Sequence, residues 1–506
     1  MLDKVKKISK NTMVYGFGNA LNKLLGFILI PVYTGFISID SFGILTILEI
    51  TILALVALLN FGIVSGHQRH FYKEKDNKEY GVFLFNNYLG NIFLTVLSVF
   101  ALFAFSQNFT SLLFGNIDYQ FLVKLTLIII IFEILISIPI QILQFEEKPI
   151  QYIILNALKL VISLSLTIYF VVYKHFDIEG VLYARLIGSG TVFLIGIIWI
   201  IIPRITIKLD FKKLWKSISF GFPLIMSSIG VLIFSLSDRY MINWLSTSAE
   251  TGKYGFGYRI ANFINLIFIQ SIGISYLPNM FKQEKEKDNK RFYKKMLTYY
   301  ILALSLIILS FLFFYKIILH PLVLNNEYWK GLQIVPILTL NFLIHGMNYF
   351  VNVGIMLKNK TIYYLIPSLS AAIINIILNI FLIPIWGFWG AAFSTLIAQI
   401  INTGIISYYS QKFYKFSFEW GKIFIVLILA IIFYYIGTQI NFNFILLKVA
   451  VRIILIILFP FILYKLNFFE AVEVYSIKGG LKKWVNIRNL KYNISKEIFK
   501  DKTNIK

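Results

Sequence analysis

The sequence predicts an all-α, polytopic membrane protein with about 14 transmembrane helices, arranged as two parallel six-helix lobes plus two extra C-terminal helices. Of the 506 residues, 58% are hydrophobic and only 14% are charged, well below the roughly 25% charged residues of a typical soluble domain. The apolar residues form runs of about 20 or more, and each run is long enough to cross a bilayer core of about 30 Å as a helix. The basic residues stand in short islands between these runs.

Hydropathy and polar interruptions place each span in turn. The links around 36–43 and 384–390 are short enough to be turns, and the longest loop on the side opposite the basic islands covers 107–120. The predicted spans are 11–37, 42–66, 81–106, 121–145, 150–173, 179–202, 219–244, 253–277, 297–319, 331–357, 361–383, 387–409, 421–440 and 445–466.

The distribution of Lys and Arg supports this division and orients it. The termini and every second loop hold 36 of these residues, whereas the opposite loops hold 4. Such an excess marks cytoplasmic loops. We therefore predict a multi-pass protein of a bacterial or archaeal cytoplasmic membrane, with both termini in the cytoplasm.

Several functional classes are excluded or disfavoured by composition and motifs. The net charge of +24 does not indicate a nucleic-acid partner, because the cations are not gathered on a polar domain. The absence of cysteine excludes disulfides and thiolate metal sites. The chain has no P-loop and no G-x-S-x-G motif. We expect no enzymatic activity, no catalytic residue, no cofactor and no metal.

The two halves of the chain repeat each other. A basic turn, a long helix and a short turn precede Gly180, and the same order precedes Gly390, at an offset of 210 residues. Six spans separate equivalent helices, so the halves run in the same direction through the membrane, as in alternating-access carriers. The predicted domains are a six-helix lobe at 1–205, a second at 206–415, two additional transmembrane helices at 416–466 and a basic amphipathic cytoplasmic tail at 467–506.

Two stretches resemble a known family. They are KNT, YGFGN and PVYT at 10–12, 15–19 and 31–34, and DRY, GKYG and YRIA at 238–240, 252–255 and 258–261. They resemble the first, seventh and eighth helices of the O-antigen and capsule polysaccharide flippases. That family is the polysaccharide transporter branch of the multidrug/oligosaccharidyl-lipid/polysaccharide exporter superfamily. The resemblance implies the same 6 + 6 + 2 helix arrangement.

Polar residues within the spans form strips on three helices, and a charge inside a membrane usually faces a cavity or a partner. The spans contain more basic than acidic residues, which suits an anionic head group better than a cationic drug. The predicted substrate-binding residues are Lys23, Arg239 and Arg259 for anionic groups, and Asn19, Asn22, Asn262 and Asn265 for the glycan. The candidates for coupling an ion, H⁺ or Na⁺, are Glu49, Glu133 and Asp238.

Structural roles compete with these assignments. Asp238 and Arg239 are adjacent near a helix end, so they form either part of a cavity or a pair that locks the helix end. Lys124, Arg185 and Lys253 stand close enough to the outer interface to extend their charges into it. The uncharged strip of Ser368, Asn375 and Asn379 is interpreted as helix packing.

The resemblance implies a flippase that moves an undecaprenyl-pyrophosphate-linked oligosaccharide to the outer leaflet, for lipopolysaccharide, capsule or other surface polysaccharide. The alternatives are an ion-coupled multidrug exporter of the MATE type, or an integral-membrane enzyme that modifies glycans. The expected partners are the lipid-linked oligosaccharide, a coupling cation and other polysaccharide-assembly proteins. We also expect anionic lipids at the basic tail.

Overall fold

A computed structural model describes residues 26–74, 79–440, 444–470 and 473–475. Within these residues the chain forms helices and short connections and contains no strand, which confirms the all-α prediction. Twelve helices are long and apolar enough to span a membrane, and a bent helix makes thirteen. The residues of the first predicted span before Gly26 lie outside the described ranges. The observed number agrees with the prediction of about 14.

The helices follow each other through short connections, and single residues often separate them. Phe36 and Ile39 end and begin neighbouring helices, and Gly387 alone separates the two helices of the 384–390 turn, with a φ of +54°. The principal α-helices are α1 (Ile30–Phe36), α2 (Ile39–Leu59), α3 (Ile63–Glu74), α4 (Tyr80–Ala104), α5 (Ser106–Phe114), α6 (Gln120–Phe145), α7 (Pro149–Ile168), α8 (Asp177–Gly196), α9 (Phe211–Leu245), α10 (Ser248–Ile264), α11 (Gln270–Gln283), α12 (Asn289–Leu319), α13 (Asn326–Gly331), α14 (Val335–Val351), α15 (Val353–Leu357), α16 (Leu365–Trp386), α17 (Phe388–Phe413), α18 (Trp420–Gln439) and α19 (Ile445–Lys465).

Several boundaries differ from the sequence prediction, among them the start of the ninth span at Asn289 rather than 297. The second span stops at Leu59, because Phe61 and Gly62 adopt positive φ angles before α3 begins. The seventh span begins at Phe211 rather than 219 and bends by 47° near Met226, close to the internal Pro223. The predicted outer loop at 107–120 contains the short helix α5.

The described residues divide into two compact units. One contains the residues up to Tyr293 together with Lys316–Ser417, and the other contains Lys294–Tyr315 and the residues from Phe418 onwards. The first unit includes the described part of the first predicted lobe and the second predicted lobe except for Lys294–Tyr315. The division into lobes at residue 205, the boundary at 415 and the cytoplasmic placement of the termini stay predictions.

Within the first unit, glycines bring helices of the two halves into close contact at two places. A Cβ atom on Gly43 of α2 would overlap the carbonyl oxygen of Ser248 at the start of α10. A Cβ atom on Gly62, just before α3, would overlap the backbone of Gly221 in α9. Side chains at these positions would separate the backbones.

In the second unit, the two C-terminal helices pack with the central part of α12. Lys295 of α12 forms ion pairs with Glu470 at 2.6 Å, Glu473 at 3.2 Å and Glu419 at 3.3 Å. Deeper in the unit, Arg452 of α19 donates a hydrogen bond to the carbonyl oxygen of Phe313. The C-terminal spans therefore have polar as well as apolar contacts with the ninth span.

Candidate functional site

A cavity of about 950 Å³ lies within the second half of the chain. Its wall includes Thr361 and Ile362, at the end of α16 that is predicted to be cytoplasmic, and it reaches Asp238 and Thr395 inside the helix bundle. Side chains from α9, α10, α14, α16 and α17 line it. Its volume lies within the range of small-molecule sites.

Amide, imidazole and hydroxyl groups give this cavity a polar wall. Two strips have the same i, i+4, i+7 spacing, which places three side chains on one helix face. They are Asn341, His345 and Asn348 on α14, and Thr395, Gln399 and Asn402 on α17. Thr403 joins the strips, since its hydroxyl donates to Asn348 Oδ1 at 2.8 Å and accepts from Gln399 Nε2 at 3.1 Å. The spacing of both strips is visible in the sequence, but neither strip is among the predicted substrate-binding residues.

Asp238 and Arg239 form a buried ion pair behind this wall. Arg239 Nη1 lies 3.0 Å from Asp238 Oδ1, and the guanidinium group sits 3.7 Å from the ring centre of Tyr258. The Arg239 side chain is only 4% exposed, and it is not among the residues that line the cavity, whereas Asp238 and Tyr258 are. This arrangement agrees with the alternative in which the two residues form a structural pair. It still leaves the carboxylate of Asp238 at the cavity wall.

A hydrogen-bond network extends from Asp238 into α16 and α17. Its second carboxylate oxygen accepts from the hydroxyl groups of Tyr254 and Thr395. Asn375 Nδ2 donates to Thr395 Oγ1 at 3.2 Å, and Asn379 Nδ2 donates to Asn375 Oδ1 at 3.1 Å. Both asparagines are fully buried. They therefore belong to a polar network as well as to the helix packing that their spacing indicated, while Ser368 of the same strip lines the cavity.

Arg259 occupies a different position, at the contact between the two halves. Its Nη2 donates to Oε2 of Glu49 in α2 at 2.6 Å, and its guanidinium group lies 5.1 Å from the ring of Tyr33 and 5.2 Å from the ring of Phe42. The Arg259 side chain is 32% exposed and that of Glu49 is 29% exposed. Part of each side chain therefore stays accessible although the two groups are paired.

The remaining predicted ligands divide into described and undescribed residues. Asn265 lines the cavity, and its Nδ2 donates to Oδ1 of Asn262 at 3.0 Å. Lys23, Asn19 and Asn22 lie outside the described residues. The structure thus places Asp238 and Asn265 in one cavity and Arg259 with Glu49 elsewhere, whereas Arg239 is buried and does not line the cavity.

Glu133 is the centre of a third charged group, which involves two cations of the first half. Lys159 Nζ lies 2.6 Å from Glu133 Oε2, and Arg185 Nε lies 3.3 Å from Glu133 Oε1. Ser189 donates to the same Oε1 at 3.0 Å. Arg185 was predicted to extend towards the outer interface, and that prediction is wrong, because a carboxylate on a neighbouring helix binds it.

His67 is buried between polar and aromatic side chains. Its Nδ1 lies 3.0 Å from Gln141 Oε1, and its ring stacks on Phe83. Among the described residues, no group of three or more histidine, aspartate or glutamate side chains is placed to hold a metal ion.

Comparisons with known proteins concern both sequence and fold. A family model described as polysaccharide biosynthesis protein matches residues 8–284. A probable low-salt glycan biosynthesis flippase, Agl15 of Haloferax volcanii, is 20% identical over 261 residues, which cover 50% of this chain and 54% of the relative. An uncharacterized membrane protein of Haemophilus influenzae is 24% identical over 287 residues, which cover 56% of this chain and 67% of that protein. The match to Agl15 thus spans about half of that relative's length.

Solved structures match over more of the chain. The lipid II flippase MurJ in an inward closed conformation has a TM-score of 0.74 and 16% identity, and the match covers 90% of this chain and all of that one. An inward-facing multidrug resistance transporter of the MATE family has a TM-score of 0.61 and 14% identity, with 77% of this chain and 94% of the transporter covered. At these identities the likeness establishes the fold.

Proposed function

We propose that this chain, which belongs to the family of polysaccharide biosynthesis proteins, is a flippase for lipid-linked oligosaccharide units. It would carry them by alternating access across the cytoplasmic membrane of a bacterium or archaeon. The lipid would be undecaprenyl pyrophosphate, and the glycan would be a repeat unit of O-antigen, capsule or another surface polysaccharide. The flippase named among its relatives supports the transport of a glycan.

The partly exposed ion pair between Arg259 and Glu49 carries this proposal. Charged groups inside a membrane cost several kcal/mol unless they face water or a partner. Both side chains keep about a third of their surface exposed although they pair with each other. An anionic head group that reaches this pair would compete with Glu49 for Arg259. The exchange of one anionic partner for another costs less than the exposure of an unpaired buried cation.

The polar cavity in the second half supports a glycan as the cargo. Sugars present many hydroxyl groups, and each needs hydrogen-bond partners when it leaves water. Asn265, Asn341 and Gln399 offer amide donors and acceptors along the cavity wall. Together with Asn262, and with Lys23, Asn19 and Asn22 of the first span, they would hold the glycan. Arg239 would act indirectly, by holding Asp238 and Tyr258 in place.

Coupling to H⁺ or Na⁺ is part of the proposal, with Asp238 as the leading candidate and Glu49 and Glu133 as the others. Asp238 combines a carboxylate at the cavity wall with a network that reaches two further helices. A cation that replaces Arg239 as its partner would change the contacts of α9 with α17. The structural likeness to a MATE transporter supports a drug exporter only through the fold, and the basic excess in the spans favours an anionic cargo.

The proposal is tested by surface glycan in cells. A strain that lacks this gene should lose its surface polysaccharide and regain it with the wild-type gene. Arg259→Gln should not restore the glycan, although the variant reaches the membrane in normal amount. Lys330→Gln is the matched control, because it breaks an exposed ion pair with Glu327, and it should restore the glycan fully. Normal surface glycan with Arg259→Gln would contradict the proposal.

A further inference from the structure

The group formed by Glu133, Lys159 and Arg185 has an unbalanced charge inside the first half of the protein. Two cations share one carboxylate, so one positive charge remains. The Lys159 side chain is 25% exposed and that of Arg185 is 29% exposed, whereas that of Glu133 is 14% exposed. Arg185 contacts Glu133 through Nε, and its two terminal nitrogens have no hydrogen-bond partner within the described ranges.

The positions of these residues on their helices show that the exposure faces inwards. At about 100° per residue, Lys159 lies about 160° from the exposed apolar strip of Ile150, Ile154 and Val161 on α7. Arg185 lies about 170° from the exposed Ile187 and Leu194 on α8 by the same geometry. These strips suit the lipid. The charged group therefore opens towards the interior of the bundle.

The internal repeat gives an independent indication of an opening at this place. The offset of 210 residues that relates Gly180 to Gly390 also relates Arg185 to Thr395 and Ser189 to Gln399. Thr395 and Gln399 line the cavity of the second half. The first half thus presents a cation and a hydroxyl group where the second half presents the polar wall of its cavity.

We propose that Lys159 and Arg185 form an anion-binding site in the first half, with Glu133 as an internal carboxylate that an incoming anion replaces. The ligand class is the carboxylate of an acidic sugar, because a carboxylate carries the single negative charge that balances the group. The free edge of the Arg185 guanidinium group also offers two parallel donors to a carboxylate. The assignment rests on the proposed function, since the acidic sugar would belong to the carried oligosaccharide.

Binding of a soluble acidic trisaccharide to the full-length protein in lipid nanodiscs tests this site. Trigalacturonate should bind to the wild-type protein, and the neutral maltotriose should not. Lys159→Gln and Arg185→Gln should each weaken trigalacturonate binding at least about tenfold, because each removes a charged donor. Arg204→Gln is the control. Arg204 belongs to the same transmembrane segment as Arg185 but pairs with Glu146 at 2.9 Å, so this substitution should leave the affinity for trigalacturonate unchanged.

Glu133→Gln separates an anion site from a structural ion cluster. It should strengthen trigalacturonate binding about tenfold, because both cations lose their internal partner. The double variant Glu133→Gln with Lys159→Gln restores the single positive charge, so it should bind about as well as wild type even if the single variant folds poorly. Weaker or unchanged binding in Glu133→Gln, together with a double variant that does not bind, would overturn the proposal. Competition gives a further test. If inorganic pyrophosphate displaced trigalacturonate at a lower concentration than free galacturonate does, the proposal would also be overturned.

Trigalacturonate binding and glycan transport, measured on the same variants, distinguish this inference from the proposed function. Arg259→Gln should lose glycan transport and still bind trigalacturonate. If the wild-type protein moves no glycan while the Lys159 and Arg185 variants lose trigalacturonate binding, the flippase proposal fails and the anion site stands. If the Lys159 and Arg185 variants bind normally while Arg259→Gln loses transport, the anion site fails and the flippase proposal stands.

Discussion

Arg259 Nη2 donates to Glu49 Oε2 at 2.6 Å, and this ion pair joins the eighth span to the second across the contact between the two halves of the chain. The guanidinium group of Arg259 also lies 5.1 Å from the ring of Tyr33 in α1. Arg259 therefore connects α10 with two helices of the first half.

The first prediction concerns the neutralised pair. Glu49→Gln combined with Arg259→Gln removes both charges and leaves two amides that can hydrogen-bond to each other. The free energy of unfolding of the double variant should lie within about 1 kcal/mol of the wild-type value, because no unpaired charge remains. Transport should nevertheless be lost. Thermal unfolding and surface glycan of the double variant check this. If the pair were only structural, the double variant would transport normally.

The second prediction concerns Asp238. Asp238→Asn leaves Arg239 without its carboxylate in a buried site, which should lower the free energy of unfolding by roughly 3–5 kcal/mol. Adding Arg239→Gln removes the uncompensated charge and should restore most of that stability. In vesicles, an imposed Na⁺ or H⁺ gradient should not accelerate glycan transport by either variant. A gradient response of normal size in the stabilised double variant would exclude Asp238 as the coupling residue.

The third prediction concerns Tyr254, whose hydroxyl donates to Asp238 and whose side chain is fully buried. Tyr254→Phe should lower the free energy of unfolding by about 1–3 kcal/mol, because a buried carboxylate oxygen loses a donor. Tyr435→Phe is the control, since Tyr435 is exposed, and it should change stability by less than about 0.5 kcal/mol. Equal effects of the two substitutions would contradict the proposed importance of the network.

The fourth prediction concerns the glycine crossings. Gly43→Val should prevent the close approach of α2 to the start of α10 and should lower stability and transport together, because the added side chain would overlap the backbone at Ser248. Gly404→Ala is the control, because nothing lies within 4 Å of a Cβ atom there. It should leave stability unchanged or raise it by up to about 1 kcal/mol. Denaturant unfolding of the two variants in detergent decides between these outcomes.

The fifth prediction concerns the side from which the cavity is reached. The chain contains no cysteine, so a single introduced thiol reports its own accessibility. Ser235→Cys, in the cavity wall, should react with a membrane-impermeant maleimide in inside-out vesicles. Ser246→Cys, in a predicted outer turn, should react in right-side-out vesicles. The reverse pattern would overturn the predicted orientation of the chain.

The sequence predicted the helices and their connections well, because hydropathy reports directly how long each apolar segment is. The short link predicted around 384–390 lies at Gly387. The partners of the buried charges were harder to predict. Glu49 and Arg259 are 210 residues apart, and hydropathy gives the depth of each but not the direction in which it faces.

Arg185 illustrates the same difficulty. The distance of Arg185 from the end of its helix suggested a side chain that reaches the interface. The structure instead pairs it with Glu133, which lies 52 residues earlier on another helix. The placement of Arg239 under Tyr258 depends on how α9 and α10 pack, which no local pattern encodes. The strips on α14 and α17 were readable from their spacing, since each repeats a polar residue at i, i+4 and i+7.

The central claim is tested most directly with purified protein in liposomes that contain a fluorescent lipid-linked oligosaccharide. Quenching by an impermeant reductant measures how fast the lipid moves between leaflets. The wild-type protein should accelerate this movement, and Arg259→Gln should slow it about 10- to 100-fold, in line with the loss of a hydrogen bond to a charged group. Movement at the wild-type rate with Arg259→Gln, or no acceleration by the wild-type protein, would contradict the account.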